Sequence, residues 1–153
     1  MKAVQYRVVA PEKIEERQVV IENIPANYVL LKPVLTCICQ SDLRYFFGRR
    51  DPKVLKKKYP LCLLHEGIAE VVRENDGFEE GSRVVVIPNI PCYIYRKSGE
   101  KCFSCEGGVS ENYCLDVKFM SSNCDGMAQT YFLQPKECII NVPKNIPDEV
   151  AVL

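Results

Sequence analysis

One histidine, His65, is all the imidazole in this chain of 153 residues. That scarcity excludes any mechanism needing two histidines, and a zinc site here must be mostly thiolate and carboxylate. Net charge is lacking too: 20 Lys and Arg balance 20 Asp and Glu, which argues against a dedicated nucleic-acid binder but leaves room for a local basic patch. No apolar run approaches the ~20 residues that span a bilayer. The opening residues, Met1-Lys2-Ala3-Val-Gln-Tyr-Arg, hold no apolar stretch of a secretory signal. None of the eight glycines falls in a G-x-G-x-x-G pattern, so the dinucleotide-binding fingerprint is missing. Repeats and low-complexity tracts are absent, and 47% hydrophobic residues exclude the disordered class. The length suits one soluble domain with a real core and no membrane or nucleic-acid partner.

Cysteine, by contrast, is plentiful. Nine thiols without a signal segment point to the cytoplasm, where thiols stay reduced, rather than to a disulfide framework. An odd number cannot pair off completely, and short Cys spacings in a reducing compartment indicate metal ligands or catalytic thiols.

The pattern along the chain is mainly β. Residues 3–9, 15–21, 28–38, 67–72, 83–87 and 127–133 are rich in Val, Ile, Leu and Tyr, with Pro11, Pro25-Ala-Asn27, Asn75-Asp-Gly77 and Pro88-Asn89 between them. Many short strands without alternating helices predict a barrel or sandwich. Residues 41–47 and 52–58 read as short helices. Residues 44–58 carry seven basic side chains against one acid, Asp51. Residues 89–126 form a long irregular excursion with five cysteines, which a bound metal would pin. Around Pro147-Asp148-Glu149 a helix begins, and the apolar residues Val150 to Leu153 that follow read as the start of an element cut short.

Two constellations carry chemistry. Cys92, Cys102, Cys105 and Cys114 include a C-x2-C pair, whose tight turn lets two thiolates reach one ion while two flanking Cys complete a tetrahedral set. Four thiolates close the site, so its role is structural. Packing as small hydrophobes fits these cysteines poorly beside Lys101, Ser104, Glu106 and Gly107. The second constellation is dispersed: Cys39, Ser41 and Asp42, then His65, Glu66 and Gly67. One thiolate, one imidazole and one carboxylate are ligand types of a catalytic zinc with an open position. Asp42 is placed to accept the second ring N–H of His65, and Ser41 to pass a proton. Spacing alone leaves the other reading open, a satisfied polar histidine beside a strand.

Motifs narrow that choice. Cys39-Gln-Ser41-Asp42, Leu64-His65-Glu66-Gly67 and Gly81-Ser-Arg-Val84 resemble the C-G-S-D, G-H-E-x-x-G and G-D-R-V signatures of the zinc-dependent medium-chain dehydrogenase/reductases. Asp125-Gly126-Met-Ala-Gln-Thr-Tyr131 resembles the family's G-G-F-A-E-Y strand, and Val142-Pro-Lys-Asn-Ile-Pro147-Asp148 its L-P-D helix entry. The resemblance implies the GroES-like, partly open β-barrel catalytic domain of an alcohol or polyol dehydrogenase. It implies catalytic zinc on Cys39 and His65 with Glu66 near the metal, Ser41 as relay hydroxyl, and structural zinc on Cys92, Cys102, Cys105 and Cys114. Departures are Leu64 in place of Gly and a stretched structural loop. A further ligand lies beyond the L-P-D entry in the family, past Leu153. NAD(P)H would bind a Rossmann-type domain not contained in residues 1–153, without which these residues are inactive, and the whole enzyme would be a homo-oligomer.

Asp42-Leu-Arg44-Tyr45-Phe-Phe-Gly48 followed by Leu-Leu-His65-Glu66-Gly67 is similar to the ribitol-5-phosphate dehydrogenases, or ribulose-5-phosphate reductases. Arg44 stands where the broader family often has a relay His; arginine cannot shuttle protons but can bind a phosphate bidentately. The small-molecule substrate implied is a phosphorylated pentose or pentitol. Lys56 to Lys58 read better as a solvated face. Two alternatives remain at this point: a sorbitol-, threonine- or simple alcohol-type dehydrogenase, and a non-catalytic structural zinc module. Cys37, Cys62, Cys124 and Cys138 receive no role.

Overall fold

The computed structural model describes residues 1–75, 77–107 and 111–152. Asp76 of the expected turn at 75–77, residues 108–110 of the cysteine-rich excursion and Leu153 lie outside the described residues. A hairpin opens the chain, β1 (Lys2–Ala10) against β2 (Lys13–Val20), with Glu12 at the turn in the left-handed region (φ 59). The charged residues of β2 face solvent, as an edge strand should. After β3 (Tyr28–Cys37) come two seven-residue helices, α1 (Gln40–Phe46) and α2 (Pro52–Lys58). Strands β4 (Leu61–Cys62), β5 (Glu66–Val71) and β6 (Arg83–Val86) follow.

The excursion expected to be irregular is partly regular. It holds β7 (Asn89–Ile90) paired with β8 (Lys118–Phe119), and the single-turn helices α3 (Cys92–Tyr95) and α4 (Phe103–Glu106). The chain then forms β9 (Phe132–Pro135), β10 (Ile139–Asn141) and the short α5 (Asp148–Ala151). Residues 127–131, expected as strand, touch the sheet through one bridge, Gln5 to Gln129, and β10 went unforeseen because three residues are too few to show alternation.

Five strands form the main sheet in the order β10-β6-β5-β3-β9, and β2-β1-β4 form a second. The architecture is curled and mostly β. Inside it Val29, Leu31, Ala69, Val71, Val84, Val86, Met120, Met127, Phe132 and Ile139 make the main core. A second cluster, Val8, Tyr45, Leu55, Leu61 and Leu63, sits under the two helices, and Leu64 packs against both. Fully burying such side chains contributes about 1.5–3 kcal/mol each. Arg83 ion-pairs with Asp148 and donates to the Ile146 carbonyl (3.0 Å), tying α5 to β6. No helix among the described residues is long and apolar enough to cross a membrane.

Candidate metal centres

Register creates the first site. β3 and β5 pair antiparallel with Cys37 opposite Glu66, so the residues just past each strand end, Cys39 and His65, arrive side by side. The Cys39 Sγ lies 3.5 Å from His65 Nε2, and the Glu66 carboxylate is 3.8 Å from the same nitrogen. Cys39, Asp42 and His65 offer ligand atoms all within 4.8 Å of one another.

Asp42 is the brace of this corner. As the third residue of α1 its Oδ2 accepts from the Cys39 amide (3.0 Å), while Oδ1 accepts from the Leu64 amide (3.0 Å). The carboxylate, 3% exposed, thereby joins the start of α1 to the segment carrying His65. With both oxygens taken by amides, Asp42 stays 3.7 Å from His65 Nδ1, beyond hydrogen-bond length. The ring nitrogen meets the Ser121 hydroxyl instead, at 2.6 Å. Ser121 is buried and in the left-handed region (φ 58), a conformation that no feature of its sequence neighbourhood announces. With Nδ1 engaged by Ser121, Nε2 is the nitrogen that faces Cys39 and Glu66.

Leu64 sits at φ 69, the left-handed conformation for which the family's usual glycine is suited. A lacework of amides holds it there: Gly126, Met127 and Ala128 donate to the carbonyls of Cys62, Leu64 and Leu63 at 2.8, 2.7 and 3.0 Å. Gly126 has to be glycine, because a Cβ would strike the Leu63 and Leu64 carbonyl oxygens. Arg7 pairs with Asp125 (2.6 Å), which also accepts from the Cys62 amide (3.2 Å), so the same segment is anchored to β1. Burial pushes the Cys39 thiol above its ordinary value, Asp42 adds to the rise, and the Asp42 and Ser41 amides pull it back.

Ser41 donates its amide to Cys39 Sγ (3.2 Å), and its hydroxyl accepts from Arg50 Nη2 (3.0 Å). Arg44 is exposed on α1. Lys56 and Lys57 are solvated, whereas Lys58 is half-buried and donates to Ser122 Oγ (3.3 Å).

The second site is the four-thiol lobe. The sulfurs of Cys92, Cys102, Cys105 and Cys114 all lie within 4.8 Å of one another. Cys102 caps α4, and amides of Cys105 and Leu115 aimed at its sulfur lower the thiol to about 6. Burial drives its neighbour Cys105 the other way, to about 12. Arg96 pairs with Asp116 (3.1 Å) and Lys118 lies over the Tyr95 ring (4.1 Å), closing the lobe from outside. Either cluster can hold a metal ion; the lobe's four sulfurs suit a closed tetrahedral site and the mixed set an open one. Of the remaining thiols, Cys62 is sealed in the core, Cys124 packs on the main cluster, Cys138 donates to the Asn89 carbonyl (3.3 Å), and Cys37 is half-exposed.

Comparison with known proteins shows the family. The family described as alcohol dehydrogenase GroES-like domain matches residues 25–144. Ribulose-5-phosphate reductase 2 of Staphylococcus aureus is 35% identical over 144 residues, 92% of this chain but 38% of that protein. The ribulose-5-phosphate reductase of Streptococcus pneumoniae is 34% identical over 128 residues, 83% of this chain and 34% of its own length. Among solved structures, Staphylococcus aureus TarJ in complex with NADPH superposes with a TM-score of 0.68 at 25% identity, covering 99% of this chain and 37% of that one. The chain thus spans little more than a third of the length of these relatives.

Proposed function

The chain belongs to the alcohol dehydrogenase GroES-like domain family, and from that premise we propose that it is the zinc- and substrate-holding part of an NAD(P)H oxidoreductase that interconverts an alcohol and a carbonyl. The substrate class is a phosphorylated pentose or pentitol, ribulose 5-phosphate to ribitol 5-phosphate, in keeping with the relatives named above. The nicotinamide cofactor binds a part of the parent protein outside residues 1–153, and the enzyme works in the cytoplasm as a homo-oligomer.

The observation that carries this reading is the meeting of Cys39 Sγ, His65 Nε2 and the Glu66 carboxylate at one corner, set by strand register. Cys39, His65 and Glu66 would hold the catalytic zinc, and Cys92, Cys102, Cys105 and Cys114 the structural one. Zinc bound at the first set supplies Lewis-acid polarisation of a carbonyl oxygen. The protein's own side chains do the rest. Ser121 engages Nδ1 of His65, Asp42 braces the segment that carries the ring, and buried Met127 packs close to Gly67. Ser41 is the proton-bearing group. An arginine only donates, so Arg50 occupies a lone pair of the Ser41 oxygen and leaves the hydroxyl proton free to point at the substrate. The basic run that begins at Arg44, exposed on α1, supplies the cations for the phosphate.

Metal content and turnover test this. Chain purified with zinc should carry an ion at each cluster by plasma mass spectrometry, with Cys39→Ser and Cys105→Ser each losing one of them. The parent enzyme should oxidise NADPH with ribulose 5-phosphate. Zinc near zero would refute the metal assignment, and turnover of sorbitol or threonine in place of the phosphate ester would redirect the substrate.

A further inference from the structure

We infer that Arg50 is the residue that receives the substrate's phosphate group and so sets the substrate class; this rests on the phosphorylated-substrate reading above. Arg50 is held more firmly than the other cations of the basic run. Gly48, at φ 66, ends α1 with paired bonds from the Gly48 and Arg49 amides to the Tyr45 (3.1 Å) and Arg44 (2.8 Å) carbonyls, which turns the chain back over the helix. Asp51 then caps α2 by accepting from the Lys53 amide (2.7 Å). Between these two fixed points the Arg50 guanidinium lies over the buried Tyr45 ring (4.8 Å) and donates to Ser41 Oγ.

The charge of Arg50 has no counterion: no carboxylate among the described residues comes within ion-pair distance of it. Its Nε is buried without an acceptor. With Nε sealed and one Nη2 hydrogen on Ser41, the outward edge, Nη1 and the second Nη2 hydrogen, remains as a ready fork. A planar fork of two N–H groups, partly desolvated and preorganised, matches two oxygens of a phosphate. Ser41 links it to Cys39 in one step, which puts the fork a few bonds from the corner where the carbonyl end would sit. Arg44 and Arg49 are both exposed, and Arg49 rests on the Phe47 ring (5.0 Å). Neither is held by a side chain of the metal corner.

Calorimetric titration of the zinc-loaded parent enzyme with ribitol 5-phosphate, ribitol and NADPH tests the inference. Wild type should prefer ribitol 5-phosphate to ribitol. Arg50→Met, which keeps the stem over Tyr45, should cut that preference about 10- to 100-fold. Arg50→Lys, which keeps the charge but not the fork, should lie between, and it serves as the readout should circular dichroism show Arg50→Met unfolded. Arg44→Ala should cost less than Arg50→Met. If the preference survives in both Arg50 variants and vanishes in Arg44→Ala, the inference is overturned and the phosphate reading stands. Equal affinity of wild type for ribitol and its phosphate overturns both. Loss of NADPH binding with the sugar-phosphate preference intact assigns the fork to the cofactor's phosphates and also overturns the inference.

Discussion

Replacing Asp42 by Asn is the sharpest perturbation of this fold, since a single buried carboxylate joins two segments through two amides. Each oxygen of Asp42 accepts one backbone N–H at 3.0 Å, from Cys39 and from Leu64. Asparagine keeps the volume but offers one carbonyl oxygen, so one of those amides faces an NH2 group. Hydrogen bonds to a charged acceptor contribute roughly 1.5–3 kcal/mol, and a stranded buried donor costs about 1–3 kcal/mol. The expected loss for Asp42→Asn is about 2 kcal/mol, and about 3–5 kcal/mol for Asp42→Ala, which strands both amides. With a urea slope of about 2 kcal/mol per M, Asp42→Asn should lower the midpoint by about 1 M. The assay is urea unfolding of zinc-free chain followed by far-UV circular dichroism, which separates the brace from any metal contribution. Repeating it with zinc should show weakened retention at the Cys39 site, about 10- to 100-fold, because Asp42 also faces His65. An unchanged midpoint in Asp42→Asn would refute the claim that this carboxylate couples α1 to the His65 segment.

Gly126→Ala should destabilise the chain by about 1–3 kcal/mol, because the new Cβ meets two backbone carbonyls that cannot swing away; an unaltered thermal midpoint would contradict it. Burial, reinforced by Asp125 and opposed by Arg7, raises the Cys62 thiol from 9.0 to about 12. A raised pKa of this kind leaves stability untouched below pH 9 and erodes it as pH climbs from 9 towards 12, where only the unfolded chain gives up the proton. Urea midpoints across that range should fall for wild type, with a shallower slope in Cys62→Ala; parallel slopes would refute the assignment.

Much of this was legible in the amino-acid order. β1, β2, β3 and β5 show their Val, Ile and Tyr patterns, and Asp51-Pro52 announces α2 through cap and first-turn chemistry. The C-x2-C spacing of Cys102 and Cys105 marks a paired-thiol turn, since two residues between them leave both sulfurs on one small loop. Less visible were β7, β8 and β10, at two or three residues each, because so few positions carry no period.

Which side chains meet across the fold was decided by tertiary structure alone. Ser121 reaches His65 across 56 positions, and Arg50 rather than Arg44 reaches Ser41. The Asp42 carboxylate gives both oxygens to amides, so a hydroxyl takes the ring nitrogen for which the residue constellation offered Asp42. Spacing encodes which residues share a turn or a strand face, because local geometry has fixed periods. It does not encode the partner of a buried hydrogen bond, which depends on strand register, a glycine-ended helix and how neighbouring segments pack around them.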